Sequence, residues 1–357
     1  MLARALAWID EGPFTSRDLG LYRIIYASIS LLAMNQFSWL ATLPSSFFTP
    51  LPGPFALASG FPSASVLTAL EVILAIALVA LLIGFLTPIS SILVFIATIV
   101  GEGFSYSTGK IDHSILMSIV PLIMAFSRWG DSLSVDAMIR PSIRLRPTRQ
   151  WTMRLLAICV GSAMMTAGLP KLYNGWLDPR TQASFGYQGL EYYSHDRQAG
   201  LADFLVSFDA PWFWEILDWS TVILECGLLF AVLSWRSWRV GLALFTAFHL
   251  GVMVALSIPF WNNIVTYGAF VSWSLLVPVG SAQTEKRRAK TSMVVSIAAV
   301  TVVLFGLIAW RINDLLGQDR MLIVAPIIVV IGFIFGAAYL LRQVWLLFRG
   351  GLRRRQA

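Results

Sequence analysis

The sequence predicts an all-α protein, a multi-pass transmembrane helical bundle of about ten spans. Three observations predict it. First, 57% of the 357 residues are hydrophobic and only 13% are charged, where soluble domains carry about a quarter charged residues. So few charges cannot shield so much apolar surface from water, and that surface must face lipid. Second, apolar runs of about 20 residues, the length that crosses a hydrocarbon core, recur along the chain. Third, Lys and Arg concentrate in alternate loops between those runs.

The runs lie at 20–42, 65–84, 88–106, 111–128, 151–173, 214–233, 239–257, 262–279, 291–310 and 322–341. Breakers separate them: "PLPGP" (50–54), Thr87-Pro88, and "RPSIRLRP" (140–147). The first 19 residues are mixed and polar, unlike a signal peptide, so the first span is expected to stay as an anchor. No repeat or low-complexity tract is visible.

Orientation follows from the basic residues. With both termini in the cytoplasm, 19 of the 26 Lys and Arg fall on that side, including Arg140, Arg144, Arg146, Arg236, Arg239 and the Lys286–Lys290 cluster. The opposite side holds Lys110, Arg180, Arg197, Arg311 and Arg320, while Arg23 and Lys171 lie in or at the edge of the membrane. The longest external loop is about 174–213. It ends in "APWFWEILDW" (210–219), which reads as an aromatic belt at the outer interface.

Composition also excludes several classes. The net charge of +7 arises from short loops, so it points to membrane orientation and not to nucleic acid. Two cysteines, Cys159 and Cys226, both inside apolar runs, leave no disulfide scaffold. Three histidines without ligand spacing give no metal site.

Charged groups inside spans are costly and mark interiors or cavities. The chain keeps Arg23, Glu71, Lys171, Glu225 and His249, with Glu102, Asp112 and His113 at span ends. Arg23 either snorkels to the headgroups or forms a structural ion pair with Glu71 or Glu225. Those two carboxylates sit deeper and need a partner, a proton or water. His249 is either hydrogen-bonded between helices or part of a cavity.

Lys171 stands in "TAGLPKLYNGWLD" (166–178). On a helix, Ala157, Gly161 and Gly168 fall within about 40° of one another, a small-residue stripe that admits a close neighbour. Lys171 lies beside that stripe, and Pro170 is expected to loosen the last turn. The lysine should therefore point into the bundle near the external surface. Desolvation favours a neutral amine, which serves as base or nucleophile. The alternative is an anchor snorkelling outward, with Trp176 at the interface.

This stretch resembles the signature of the membrane domain of vitamin K-dependent gamma-glutamyl carboxylases, the HTTM (horizontally transferred transmembrane) domain. "IDHSILMSIVPLIMAFSRWGDSLSVD" (111–136) resembles the family's Asn-His-Ser start and closing Ser-Val-Asp. "FHLGVMVAL" (248–256), "SRDLGLYRIIYASISLL" (16–32) and "LLIGFLTPISSIL" (81–93) resemble its later His-bearing span, its Arg-bearing first span and a Gly-aromatic turn. The resemblance covers roughly 10–280, eight spans. It leaves 281–357 as a basic loop, two further spans and an Arg-rich tail. It implies a membrane enzyme that uses a reduced menaquinone or related naphthoquinone and no metal. Lys171 would be the base that deprotonates the hydroquinone, His113 would orient it, and His249 and Trp176 would line its site. Arg23, Glu71 and Glu225 remain structural polar residues. Two departures stand out: Pro170-Lys171 replaces a double lysine, and the large soluble region of the carboxylases has no counterpart. A second resemblance, to the DoxX-like quinone-associated proteins, implies a non-catalytic quinone- or lipid-binding protein. An accessory or immunity protein for another membrane partner belongs to the same non-catalytic reading.

Overall fold

A computed structural model describes residues 2–109, 114–276, 291–317 and 319–355. Among them there are fourteen α-helices and no strand. In chain order these are α1 (Leu2–Asp10), α2 (Ser16–Leu32), α3 (Ala64–Ile83), α4 (Thr87–Tyr106), α5 (Ile115–Met124), α6 (Val135–Ile139) and α7 (Gln150–Tyr173). They continue as α8 (Ala183–Ser194), α9 (Ala202–Val206), α10 (Pro211–Ala231), α11 (Trp235–Leu256), α12 (Trp261–Tyr267), α13 (Thr291–Leu316) and α14 (Met321–Arg355).

Among the described residues six helices are long and apolar enough to cross a membrane: α3, α4, α7, α11, and the segments Met293–Leu316 and Met321–Arg349 of α13 and α14. The protein is thus a multi-pass helical membrane protein, but with fewer full-length apolar spans than the ten apolar runs suggest. The other four runs differ for identifiable reasons. Run 20–42 becomes the 17-residue α2, because Glu71 Oε1 captures the N–H groups of Phe37 and Ser38 at 2.5 and 2.7 Å. Run 111–128 becomes the ten-residue α5, which contains Pro121, while residues 111–113 lie outside those described. Run 214–233 becomes α10, long enough at 21 residues but carrying Glu215, Asp218 and Glu225. Run 262–279 is the largest departure. Its described part, 262–276, holds only the seven-residue α12 and two short 3-10 turns, with Trp273 Nε1 donating to the Gly268 carbonyl at 2.8 Å.

Contacts divide the chain into two units. The first comprises residues 1–153 and 268–321. In it α3 is the hub, packed on α2, α4 and α13. Val79, Ala80 and Phe85 bury against Ala298 and Val302. Gly306 lets α13 come so close that a Cβ there would stand 2.7 Å from the Ile76 Cα. Asp18 closes a capping box on α2 with Thr15, and its Oδ1 accepts from the Ser274 N–H at 2.8 Å.

The second unit comprises residues 154–267 and 322–357. Here α10 packs on α11 and α8. The segment read as a long external loop folds into α8 and α9. Asp218 of α10 holds the start of α8 by accepting from the N–H groups of Ala183 and Ser184 at 2.9 and 2.7 Å. Gln188 of α8 donates to the Ala255 carbonyl at the end of α11.

Candidate functional site

The residues singled out by sequence fall into two clusters. In the first unit Arg23 is fully buried, and it makes neither of the contacts considered for it. Its guanidinium donates to the carbonyls of Trp129 at 3.1 Å and Leu133 at 2.6 Å. It therefore ties α2 to the 129–134 segment instead of snorkelling or pairing with Glu71 or Glu225. Asp136, in the same stretch, caps α4 by accepting from the N–H groups of Leu86 and Thr87 and from the Thr87 hydroxyl at 2.7–2.9 Å. The Asp136 N–H in turn donates to Gly84. Three segments that carry the resemblance, around Arg23, Gly84 and Ser134-Val135-Asp136, thus meet at one node. Its contacts are all within the protein, and it reads as a brace. Glu71 is buried and partnered by Phe37, Ser38 and the Trp310 indole. Glu102 is buried and accepts from Ser118 at 2.6 Å. His113 lies outside the described residues.

The second unit holds a buried ion pair at the end of α7. The small-residue stripe of α7 faces α10. A Cβ on Gly161 would stand 2.8 Å from the Leu229 Cα, and one on Gly168 2.9 Å from the Glu225 Cβ. The close approach expected of these glycines is observed. One turn beyond Gly168, Lys171 Nζ meets both carboxylate oxygens of Glu225 at 2.5 and 2.6 Å. The Lys171 side chain is 24% exposed and that of Glu225 is 7% exposed. Lys171 Nζ also lies 5.1 Å from the centre of the Trp176 ring, within cation–π range. An ammonium has three N–H donors, and the carboxylate accounts for two. Pro170 lies in the last turn of the helix, whose end matches run 151–173. α7 continues to Tyr173, and the chain turns at Gly175 with φ +83°.

This contact fixes the register of α10 on α7. Gly161 meets residue 229 and Gly168 meets 225–226, so α10 runs antiparallel to α7 and is displaced along it. At a rise of about 1.5 Å per residue, the first ten residues of α10 extend about 15 Å past the level of Lys171. Glu225 thus sits level with the end of α7.

His249 of α11 is buried, with its Nε2 3.0 Å from the Tyr267 hydroxyl. Phe245, Phe248, Phe260 and Tyr267 surround its ring at 5.0–5.8 Å between centres. Sequence reasoning missed Tyr267 and did not pair Glu225 with Lys171. Both errors come from the span register, since Tyr267 falls in a run read as one more long helix.

Among the described residues no group of three His, Cys, Asp or Glu side chains is placed to hold a metal. Residues 12–274 match the family model for the HTTM domain. No curated protein and no solved structure matches the chain. The family match runs through both the Arg23 brace and the Lys171–Glu225 pair and covers well over half of the sequence: the chain belongs to the HTTM-domain family.

Proposed function

We propose that this integral membrane protein is a carboxylase-like enzyme of the inner membrane that acts on a reduced naphthoquinone, with Lys171 and Glu225 as its proton-transfer pair. Both termini are assigned to the cytoplasm by the charge count, and residues 10–280 form the HTTM core. The observation that carries this reading is the 2.5–2.6 Å contact between Lys171 Nζ and Glu225.

The donor set fits a quinol. An amine with one N–H to spare, a carboxylate and an indole face offer hydrogen bonds and a stacking wall to a flat aromatic diol. A bound hydroquinone would supply an acidic hydroxyl and, once deprotonated, reactivity toward oxygen. The rest belongs to the protein. Lys171 Nζ passes a proton to Glu225, and the resulting neutral amine accepts one from a ligand hydroxyl at Nζ. The pair gains one positive charge in total, which stabilises the adjacent anion. Trp176 flanks Nζ, its ring centre 5.1 Å away. His113 is proposed to orient the ligand, on the resemblance alone.

The non-catalytic reading, a quinone- or lipid-binding or accessory protein, also has an observation in its favour. A close ion pair between two tightly packed helices serves equally as a clamp. The test is the quinone content of the purified protein, by solvent extraction and mass spectrometry, for the parent and for Glu225→Gln. Co-purifying naphthoquinone with loss of hydroquinone turnover in Glu225→Gln supports the enzyme. Quinone retained with turnover unchanged supports a binding protein. Absence of any quinone removes the ligand from the account.

A further inference from the structure

Helix α8 has its polarity reversed. Its one charged residue, Glu191, is buried, and so is Gln188. Both are satisfied inside the second unit: Gln188 Nε2 donates to the Ala255 carbonyl at 2.9 Å, and Arg197 Nε meets the Glu191 carboxylate at 3.0 Å. The opposite side is centred on Leu190, with Tyr187 and Tyr193 three residues to either side, and these three are 40–75% exposed. Gly186 and Ser194 complete that side, which carries no charge. A helix on a water-facing surface turns its polar residues outward and its apolar ones inward. Here the arrangement is the opposite.

We propose that α8 is embedded in the outer interfacial layer of the bilayer, with Leu190 turned toward the acyl chains and Tyr193 at the headgroups. The occupant follows from α10. Asp218 of α10 holds the start of α8. Along α10 runs one exposed apolar stripe, Trp212, Ile216, Trp219, Ile223 and Phe230, all within about 60° of one another on a helix. The lower part of α10 packs on α7, a helix long and apolar enough to cross the membrane. Ile223 and Phe230 there face lipid. Asp218 adjoins Trp219 in the same stripe, so α8 begins where the lipid-facing surface of α10 still continues. An uncharged face of leucine and tyrosine matches that setting, because a tyrosine ring is apolar at its body and polar at its tip. The leaflet is the outer one because the charge count assigns residues 174–213 to that side. The segment read as an aqueous loop thus becomes an interfacial helix.

The test is quenching of a bimane label on the full chain, reconstituted at low density in phosphatidylcholine vesicles, with Cys159 and Cys226 replaced by serine. The label is placed by Leu190→Cys or by Gly186→Cys. The second position guards against misfolding, because a side chain added at Gly186 meets open space. Arg180→Cys, at a side chain 87% exposed, is the aqueous control. Two quenchers are compared: iodide in the buffer, and phosphatidylcholine carrying a nitroxide near the ester end of an acyl chain. The labels at 190 and 186 should lose most of their emission to the nitroxide lipid and little to iodide. The label at 180 should show the reverse. Labels at 190 and 186 that iodide quenches as it does the label at 180 would overturn the proposal and place the face in water. Labels that neither quencher reaches would also overturn it and show the face covered by protein, a second copy of this chain being the one protein present.

Discussion

At Gly84 the backbone is left-handed, with φ +69°, and an added Cβ would press on Ser134 and on the Arg23 guanidinium, 2.6 Å from Nη1. A left-handed backbone alone costs a non-glycine residue about 1–2 kcal/mol, and here the Arg23 brace would have to move as well. Gly84→Ala should therefore lower stability by at least that amount, read from thermal melting in detergent. Asp18 offers a pH test. Burial would raise its carboxyl pKa, but hydrogen bonds from Thr15 and Ser274 outweigh burial and hold it below the ordinary 3.8. A lowered folded-state value stabilises the protein above pH 3.8, and that contribution fades as pH falls through the lower folded value. Between pH 5 and 3, Tm should fall more in the parent than in Asp18→Asn, which should start lower at neutral pH. Some of this was legible: Thr15-x-x-Asp18 is a capping-box spacing. The partners of Arg23 were not, because backbone carbonyls leave no mark in a sequence.

Helix pairing in both units rests on small residues. Gly168→Leu should separate α7 from α10 and lower both yield and melting temperature. Gly306→Leu should do the same for α13 on α3, where the Ile76 backbone stands 2.7 Å from the added Cβ and cannot yield. Normal folding of either variant would show that these faces are not packed. The stripe on α7 was readable from its spacing. Gly332 and Gly336 of α14 form the same pattern and pack on Ile264 and Ala243, and their Gly-x-x-x-Gly spacing was an available but unused signal. What failed was the equation of apolar length with a spanning helix. Runs 20–42 and 262–279 are apolar enough, yet buried side chains bond their backbones at Phe37, Ser38, Gly268 and Ser274. Where side chains satisfy those groups, a protein interior tolerates irregular backbone at membrane depth.

At the scale of the whole molecule, composition and charge placement were enough for the class, a multi-pass helical membrane protein, and the ordered motifs were enough for the family. The candidate site was only half legible. Lys171 stood out as a charge beside a small-residue stripe, but its partner depended on how far α10 slides along α7, which no single helix reveals. Orientation is open to a direct check: an impermeant thiol reagent applied to intact cells should label Tyr193→Cys and spare Arg144→Cys. Labelling in the reverse pattern would invert the charge-based topology.

The central claim is that the Lys171–Glu225 pair moves a proton. It is tested most directly by hydroquinone turnover in membranes holding the parent or Lys171→Arg at matched expression. Arginine keeps the ion pair with Glu225 but does not release a proton near neutral pH. The account predicts that Lys171→Arg inserts and melts like the parent yet loses turnover by about 10²–10⁴-fold, the usual contribution of a general base. Full turnover by Lys171→Arg would contradict it and leave the pair as a clamp between two helices.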